Sequence, residues 1–310
     1  MESIILPADL SPHLQGTLEW WYYNGHLTCG HRQFGFHVAV FLINTRRSGV
    51  FDMLPVPWVI PDWYLFAHAS LTDCQSGKYS FALRRSLEAL PAKSAGGYRV
   101  RVADCLIEGN EIRHDIGFSV QDARLELTLS PLKPVVLHGA EGMVKRDEKN
   151  LSGHFSYTRL NATGTIHRGN LAENVSGSAW LDREFDKPDY LKWIGGWEWF
   201  AIQLDDGRDI MIYLNRNREH EMLSTSSITI INADGTSAVF TSAEFSASVM
   251  KTWVSSHTEI NYPLCWRFQI PLLDLELEIE PVISHQEMDT RGVSGLIYWE
   301  GTCHVQGRTG

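Results

Sequence analysis

The pattern that most limits this chain is a two-residue alternation of apolar and polar side chains. It recurs in short segments and never gives way to a sustained helical period. Side chains on a strand alternate between faces, whereas a helix repeats every ~3.6 residues. LEWWYYNGHL and RQFGFHVAVFLI read as two strands joined by a turn at Thr28–His31. YLFAHASLTD, YSFALRRS, YRVRVADCLIEGN, IGFSVQD and RLELTLSP follow, each closed by Gly, Pro, Asn, Asp or Ser. HFSYTRLNATGTIHRGN and NVSGSAWLDREF continue the alternation. GWEWFAIQLDDGRDIMIYLNR predicts a hairpin turned at Asp205-Asp206-Gly207, and SSITIINADGTSAVF one turned at Asp234-Gly235. Many short strands with regular turns predict an all-β sandwich or barrel. At 310 residues the chain exceeds what one core usually serves, so two domains are expected. The break is placed near 175–187, giving 1–178 and 179–310. The Pro-rich run 54–61 and the charged run 145–150 read as loops.

The net charge of −10 argues against a nucleic-acid surface. Five dispersed cysteines without a CxxC pair read as buried free thiols of a reducing compartment. The N-terminus has no basic and apolar leader pattern, and no apolar run approaches the ~20 residues of a membrane span. A cytoplasmic protein with at most peripheral membrane contact is the expectation.

Nucleotide, zinc-protease and serine-hydrolase motifs are absent from the sequence. The histidines are dispersed, so no metal is expected; His26 and His31 merely flank a turn. Aromatic–carboxylate motifs carry the signal instead. Glu19-Trp20-Trp21-Tyr22-Tyr23 would place Glu19 and Trp21 on one strand face and Trp20 and Tyr22 on the other. Trp180-Leu181-Asp182-Arg183-Glu184 sets Trp180, Asp182 and Glu184 on one face and Arg183 opposite. Two carboxylates two residues apart, buried near Trp, should raise each other's pKa, and a neutral carboxyl near pH 7 can act as a general acid. The competing reading is a structural ion network joining Arg183 to Glu19 or Glu198. Trp197 and Trp199 in GGWEWF, and Trp299 in YWEG, are further aromatic candidates. Core packing is the plain alternative for each.

These segments, together with FGFHVAVF, FAHASLTD and YPLCWRFQIP, resemble the hydroxyneurosporene synthase (carotenoid 1,2-hydratase) family, including its AttH-like members, across nearly the whole chain. The resemblance implies two lipocalin-like β domains with an apolar cavity near their junction. It also implies activities such as hydration of a terminal isoprenoid double bond, with [4+2] cyclases among more distant relatives. By this resemblance Asp182 is the alkene-protonating acid. The match departs at Trp180, where the hydratases carry Tyr, and at Asp186, where Gly is usual. It also implies one more short strand beyond Gly310, without which a sheet edge would stay open.

The reading that follows is acid-initiated hydration or cyclisation of an apolar polyene or isoprenoid, without a cofactor. Asp182 would protonate the alkene, and Glu184 or His154 would place water or take the last proton. The substrate would be bound by Glu19, Trp20, Trp21, Tyr22, His37, His68, Trp180, Trp197, Trp199 and Trp299. Ring faces would stabilise the cation by up to ~2 kcal/mol each. A pericyclase acting on a polyene and a non-catalytic carrier of a hydrophobic metabolite are the alternatives.

Overall fold

The computed structural model describes residues 3–46, 62–86, 92–94, 96–145, 151–185 and 195–309. The loop expected at 54–61, most of that at 145–150, and Asp186 lie outside them. Helix among these residues is confined to two three-residue turns, Ala8–Leu10 and Pro271–Leu273. Among the described residues no helix is long and apolar enough to cross a membrane.

The first thirteen strands form one antiparallel sheet. They are β1 (Leu18–Cys29), β2 (Arg32–Asn44), β3 (Trp63–Asp73), β4 (Lys78–Ser86), β5 (Ala92–Ser94), β6 (Gly97–Val102) and β7 (Cys105–Asn110). After them come β8 (His114–Val120), β9 (Ala123–Pro131), β10 (Val136–Leu137), β11 (Met143–Lys145), β12 (Leu151–Arg168) and β13 (Leu171–Phe185). The order across the sheet is β4-β3-β2-β1-β13-β12-β9-β8-β7-β6-β5, with β10 and β11 also on β12. The expected turn after β1 is present, with Gly30 at φ 58°, a conformation that costs a glycine little. The sheet curls, so that β3 and β4 meet β6 and β8. Its inner face holds one apolar core that includes Trp21, Leu27, Val38, Val40, Phe118 and Leu127.

The remaining strands form smaller sheets. β14 (Gly196–Gln203), β15 (Asp209–Arg216), β16 (Ser227–Ile231) and β17 (Ser237–Thr241) make one. β18 (Ser246–Val254), β19 (Asn261–Ile270), β20 (Leu275–Pro281) and, after β21 (Glu287–Asp289) and β22 (Ile297–Trp299), β23 (Cys303–Thr309) make another. The predicted turns join β14 to β15 and β16 to β17, with Gly207 at φ 88° and Gly235 at φ 87°. A second core of Ile210, Ile228, Phe268 and Leu277, among others, lies between these sheets. The expected break at 178/179 falls inside β13, all of which pairs within the first sheet. The five cysteines are free; only Cys105 is buried, the others being half-buried.

β1 is central, paired along its length to β2 and β13, which is why both its faces are aromatic. Glu19 faces inward with Arg183 of β13, whose guanidinium Nη2 donates to Glu19 Oε2 at 2.6 Å. Arg183 also lies over the Trp21 ring at 3.8 Å. His13 donates its backbone N–H to the same carboxylate at 3.0 Å. Burial favours the neutral form of Glu19, but the Arg183 charge and the His13 contacts outweigh it and lower the pKa. A buried ion pair stripped of one partner leaves an uncompensated charge. Arg183→Met should therefore cost about 3–5 kcal/mol in equilibrium urea unfolding. The double variant with Glu19→Gln should recover part of the loss. A cost under about 1 kcal/mol, typical of a surface pair, would show that the pair does not hold these strands.

Candidate functional site

Because β13 alternates, an inward Arg183 sends Trp180, Asp182 and Glu184 to the outer face of the first sheet. Register brings Trp20 opposite Glu184, Tyr22 opposite Asp182 and Asn24 opposite Trp180. From β12, His154 lies opposite Glu184 and Ser156 opposite Asp182. On the other flank, His37 lies opposite Asn24, and His68 of β3 opposite Ala39, Tyr22's neighbour on β2.

Asp182 is buried at the centre of this face and is surrounded by hydrogen-bond donors. His154 Nε2 stands 3.1 Å from Oδ2. Trp180 Nε1–H donates to Oδ1 at 2.8 Å, and the Ser156 hydroxyl donates to Oδ1 as well. Ser156 in turn meets His138 Nε2 at 2.7 Å, and the His138 and His154 rings lie 4.3 Å apart. Burial alone would raise the pKa of Asp182. The charges of His154 and His138 and the hydrogen bonds of His154 and Ser156 pull it below its usual value. The sequence-based expectation of a neutral Asp182 is thus corrected: the effect of burial is outweighed by His154 and Ser156 of β12 and by His138, which the strand pattern does not reveal. Glu184 accepts a 2.7 Å bond from Ser152. His138, His154 and Asp182 are also the group, among the described residues, whose ligand atoms lie close enough to hold a metal ion.

The second group of sheets covers this face. Trp199 of β14 meets Tyr22 at 5.2 Å and Trp180 at 6.2 Å, both edge-on. Tyr298 of β22 bonds His68 Nδ1 at 2.9 Å. Gln203 donates to the Thr158 and Ala179 carbonyls and accepts from Ser178. His37 Nε2, His68 Nε2, Asn24 Nδ2 and Trp199 Nε1 are buried without a hydrogen-bond partner among the described residues. Such groups are costly to leave unmade in a packed interior.

The structure thus brings Trp20, Tyr22, His37, His68, His154, Trp180, Asp182, Glu184 and Trp199 to one face. It does not bring the other four candidates there. Glu19 and Trp21 lie on the inner face, since residues 19 and 21 alternate away from 20 and 22. Trp197, at the start of β14, is 42% exposed. Trp299 points away from its neighbours Tyr298 and Glu300 and donates to the Ser284 carbonyl at 2.7 Å. Glu198 pairs with Arg216, not with Arg183. Glu300 is added by the structure. Its carboxyl sits among Tyr22, Tyr79, Tyr298 and Cys303, and burial raises its pKa to about 7 against a lowering contact from Tyr22. In sequence Glu300 merely follows Tyr298 and Trp299 in YWEG, and nothing local places it beside Tyr22. His138 and Ser156 had no local signal.

Burial lowers the pKa of both His37 and His68 to about 3. Their folded values lie below the unfolded one of about 6.5, so their neutral burial stabilises the fold above pH ~6.5 and is lost as pH falls toward 3. The slope should approach two protons, and His114, lowered to about 4, adds a third. Stability measured against pH should decline on acidification through this window, and His37→Gln with His68→Gln should flatten it by about two protons. An unchanged slope would show these imidazoles to be protonated in the fold.

No curated protein matches the sequence significantly. Among solved structures, an AttH-type protein from Nitrosomonas europaea superposes with a TM-score of 0.86 at 25% identity, over 98% of this chain and 92% of that one. Kievitone hydratase from Nectria haematococca follows with a TM-score of 0.75 at 14% identity, over 99% and 88%. CghA matches with a TM-score of 0.52 at 11% identity, over 93% and 83%. The likeness to the last two shows the fold, which is all-β and lipocalin-like. The family profile for AttH-like proteins matches residues 1–310, so this chain is a member of the AttH-like family.

Proposed function

We propose that this protein is a cofactor-independent enzyme that adds water to, or cyclises, an apolar polyene or isoprenoid on the outer face of its first sheet. The observation that carries this reading is the Asp182–His154 pair. It is a buried carboxylate and imidazole 3.1 Å apart, beside Trp180, Trp199 and Tyr22. A buried carboxylate can take a proton from an oxonium ion or a carbocation, and an aromatic wall binds an apolar chain and faces any cation formed on it. Because Asp182 rests as the anion, its part is to accept a proton, from attacking water in hydration or from the cation in cyclisation, while His154 holds its carboxylate in place. Glu184 and Ser152 hold the strand ends beside it. The hydratase named among the structural neighbours agrees with this chemistry.

Asp182→Asn keeps the shape but leaves His154 without its anion. It should lower conversion of an isoprenoid alcohol such as farnesol by about 10²-fold or more. Quenching of tryptophan fluorescence by the same alcohol should change by no more than a few fold. Undiminished turnover in Asp182→Asn would overturn the assignment. Tight binding without turnover in the unaltered protein would instead favour a carrier.

A further inference from the structure

We propose that Asn24, His37, His68 and Trp199 form a recognition site for a carbonyl oxygen, so that the molecule bound on this face is an apolar chain bearing a ketone, aldehyde or ester and not a plain hydrocarbon. This rests on the reading above that an apolar chain lies here, and it names the class of that chain.

The four residues are contiguous on the outer face. Asn24 of β1 stands opposite His37 of β2, and His37 stands opposite Ser70 of β3, two residues along the same face from His68. Tyr22 ties in Trp199 from the cover: its ring lies 5.0 Å from that of His37 and 5.2 Å from that of Trp199. His37 is 2% exposed and His68 1%. Each imidazole has one nitrogen engaged. The Tyr298 hydroxyl lies 2.9 Å from His68 Nδ1 and 3.3 Å from Met288 Sδ. A ring nitrogen is the better acceptor, so the hydroxyl donates to Nδ1 and the ring proton of His68 sits on Nε2. The Ser70 hydroxyl stands 3.5 Å from His37 Nδ1, and its donation leaves the proton of His37 on Nε2 in the same way. These two Nε2–H groups, Asn24 Nδ2 and Trp199 Nε1 are buried without a hydrogen-bond partner among the described residues.

All four groups only donate. A hydrocarbon laid against them leaves every one unpaired at its full desolvation cost, and a hydroxyl brings a further proton to be placed. A carbonyl oxygen offers two lone pairs and no proton. A carboxylate also accepts only, but a buried charge calls for a cation. Among the described residues no Lys or Arg acts on either imidazole, and burial keeps both neutral, with pKa values of about 3. Strand spacing adds a length. His37 and His68 lie on the second and third strands from β13, which at ~4.8 Å per strand sets them about 10–14 Å across the sheet from Asp182. A chain with its carbonyl at the histidines and its reacting double bond at Asp182 therefore crosses β1 over Tyr22.

The test compares ligands that differ at the oxygen. Quenching of tryptophan fluorescence is titrated with geranylacetone, with the alcohol obtained by reducing it, with the alkene of the same skeleton, and with an isoprenoid acid of like length. The ketone should bind about tenfold or more tighter than the alkene, with the alcohol between them and the acid weaker than the ketone. Geranylacetone labelled with carbon-13 at the carbonyl should show, when bound, an infrared C=O stretch below its position in hexane. The double variant His37→Phe with His68→Phe keeps the ring shapes and removes two donors. Its preference for ketone over alkene should fall to a few fold or less, and the stretch should move back toward the hexane value. Retained affinity for the alkene shows that the altered site still folds; Asn24→Leu, a milder change, should weaken the preference in the same direction. Equal affinity for ketone and alkene, an acid that binds tightest, or a preference that survives in both variants overturns the carbonyl site and leaves an apolar chain on this face. Binding of none of the four ligands overturns that reading as well.

Discussion

The guanidinium of Arg183 lies 2.6 Å from the Glu19 carboxylate and 3.8 Å over the Trp21 ring, inside the curled sheet. Neighbours on a strand point to opposite faces, so this inward Arg sends Asp182 and Glu184 outward. A slip of β13 by one residue would reverse the arrangement, putting two carboxylates into the apolar core and a guanidinium outside. Unpaired buried charge makes that register far less stable than the observed one. The face that carries Asp182 is therefore kept in place by a pair on the opposite side of the sheet.

The outer face is polar and yet buried. His37, His68, Ser70, Thr72, His154 and Ser156 are all covered, and the cover supplies matching polar groups. Thr72 donates to Gln286 at 2.7 Å, His68 meets Tyr298 at 2.9 Å, and Lys133 donates to Asp209 at 2.6 Å. A small apolar patch of Val136, Trp180, Met211 and Ile231 lies among them. The two groups of sheets are thus joined by specific hydrogen bonds as well as by this apolar patch. Such a joint sets orientation closely, because each mismatched bond would leave a buried polar atom unpaired.

The all-β class, the hairpin turns and the faces of β1 and β13 were legible in the sequence, because each depends on alternation and turn chemistry over a few residues. The same alternation placed Asp182 with Glu184 and opposed Arg183, as found. It could not say which face was inner, so Glu19 and Trp21 were assigned to the site when they belong to the core. Nor could it give the protonation state of Asp182, which is set by His154, Ser156 and His138, between 26 and 44 residues earlier in the chain. Glu300 is further removed still, meeting Tyr22 only through tertiary packing. What the sequence left hidden is what long-range contacts decide.

Tyr22, Asp182 and Glu300 stand near the start, the middle and the close of the chain. As the protein is synthesised, β1 can pair with β13 and assemble the anion with its imidazole while the last strands are still inside the ribosome. Tyr298, which bonds His68 on this face, and Glu300 arrive only with β22 and the residue that follows it. A nascent or prematurely ended chain therefore holds the anion, its imidazole and an aromatic surface before the sheets that cover them are in place.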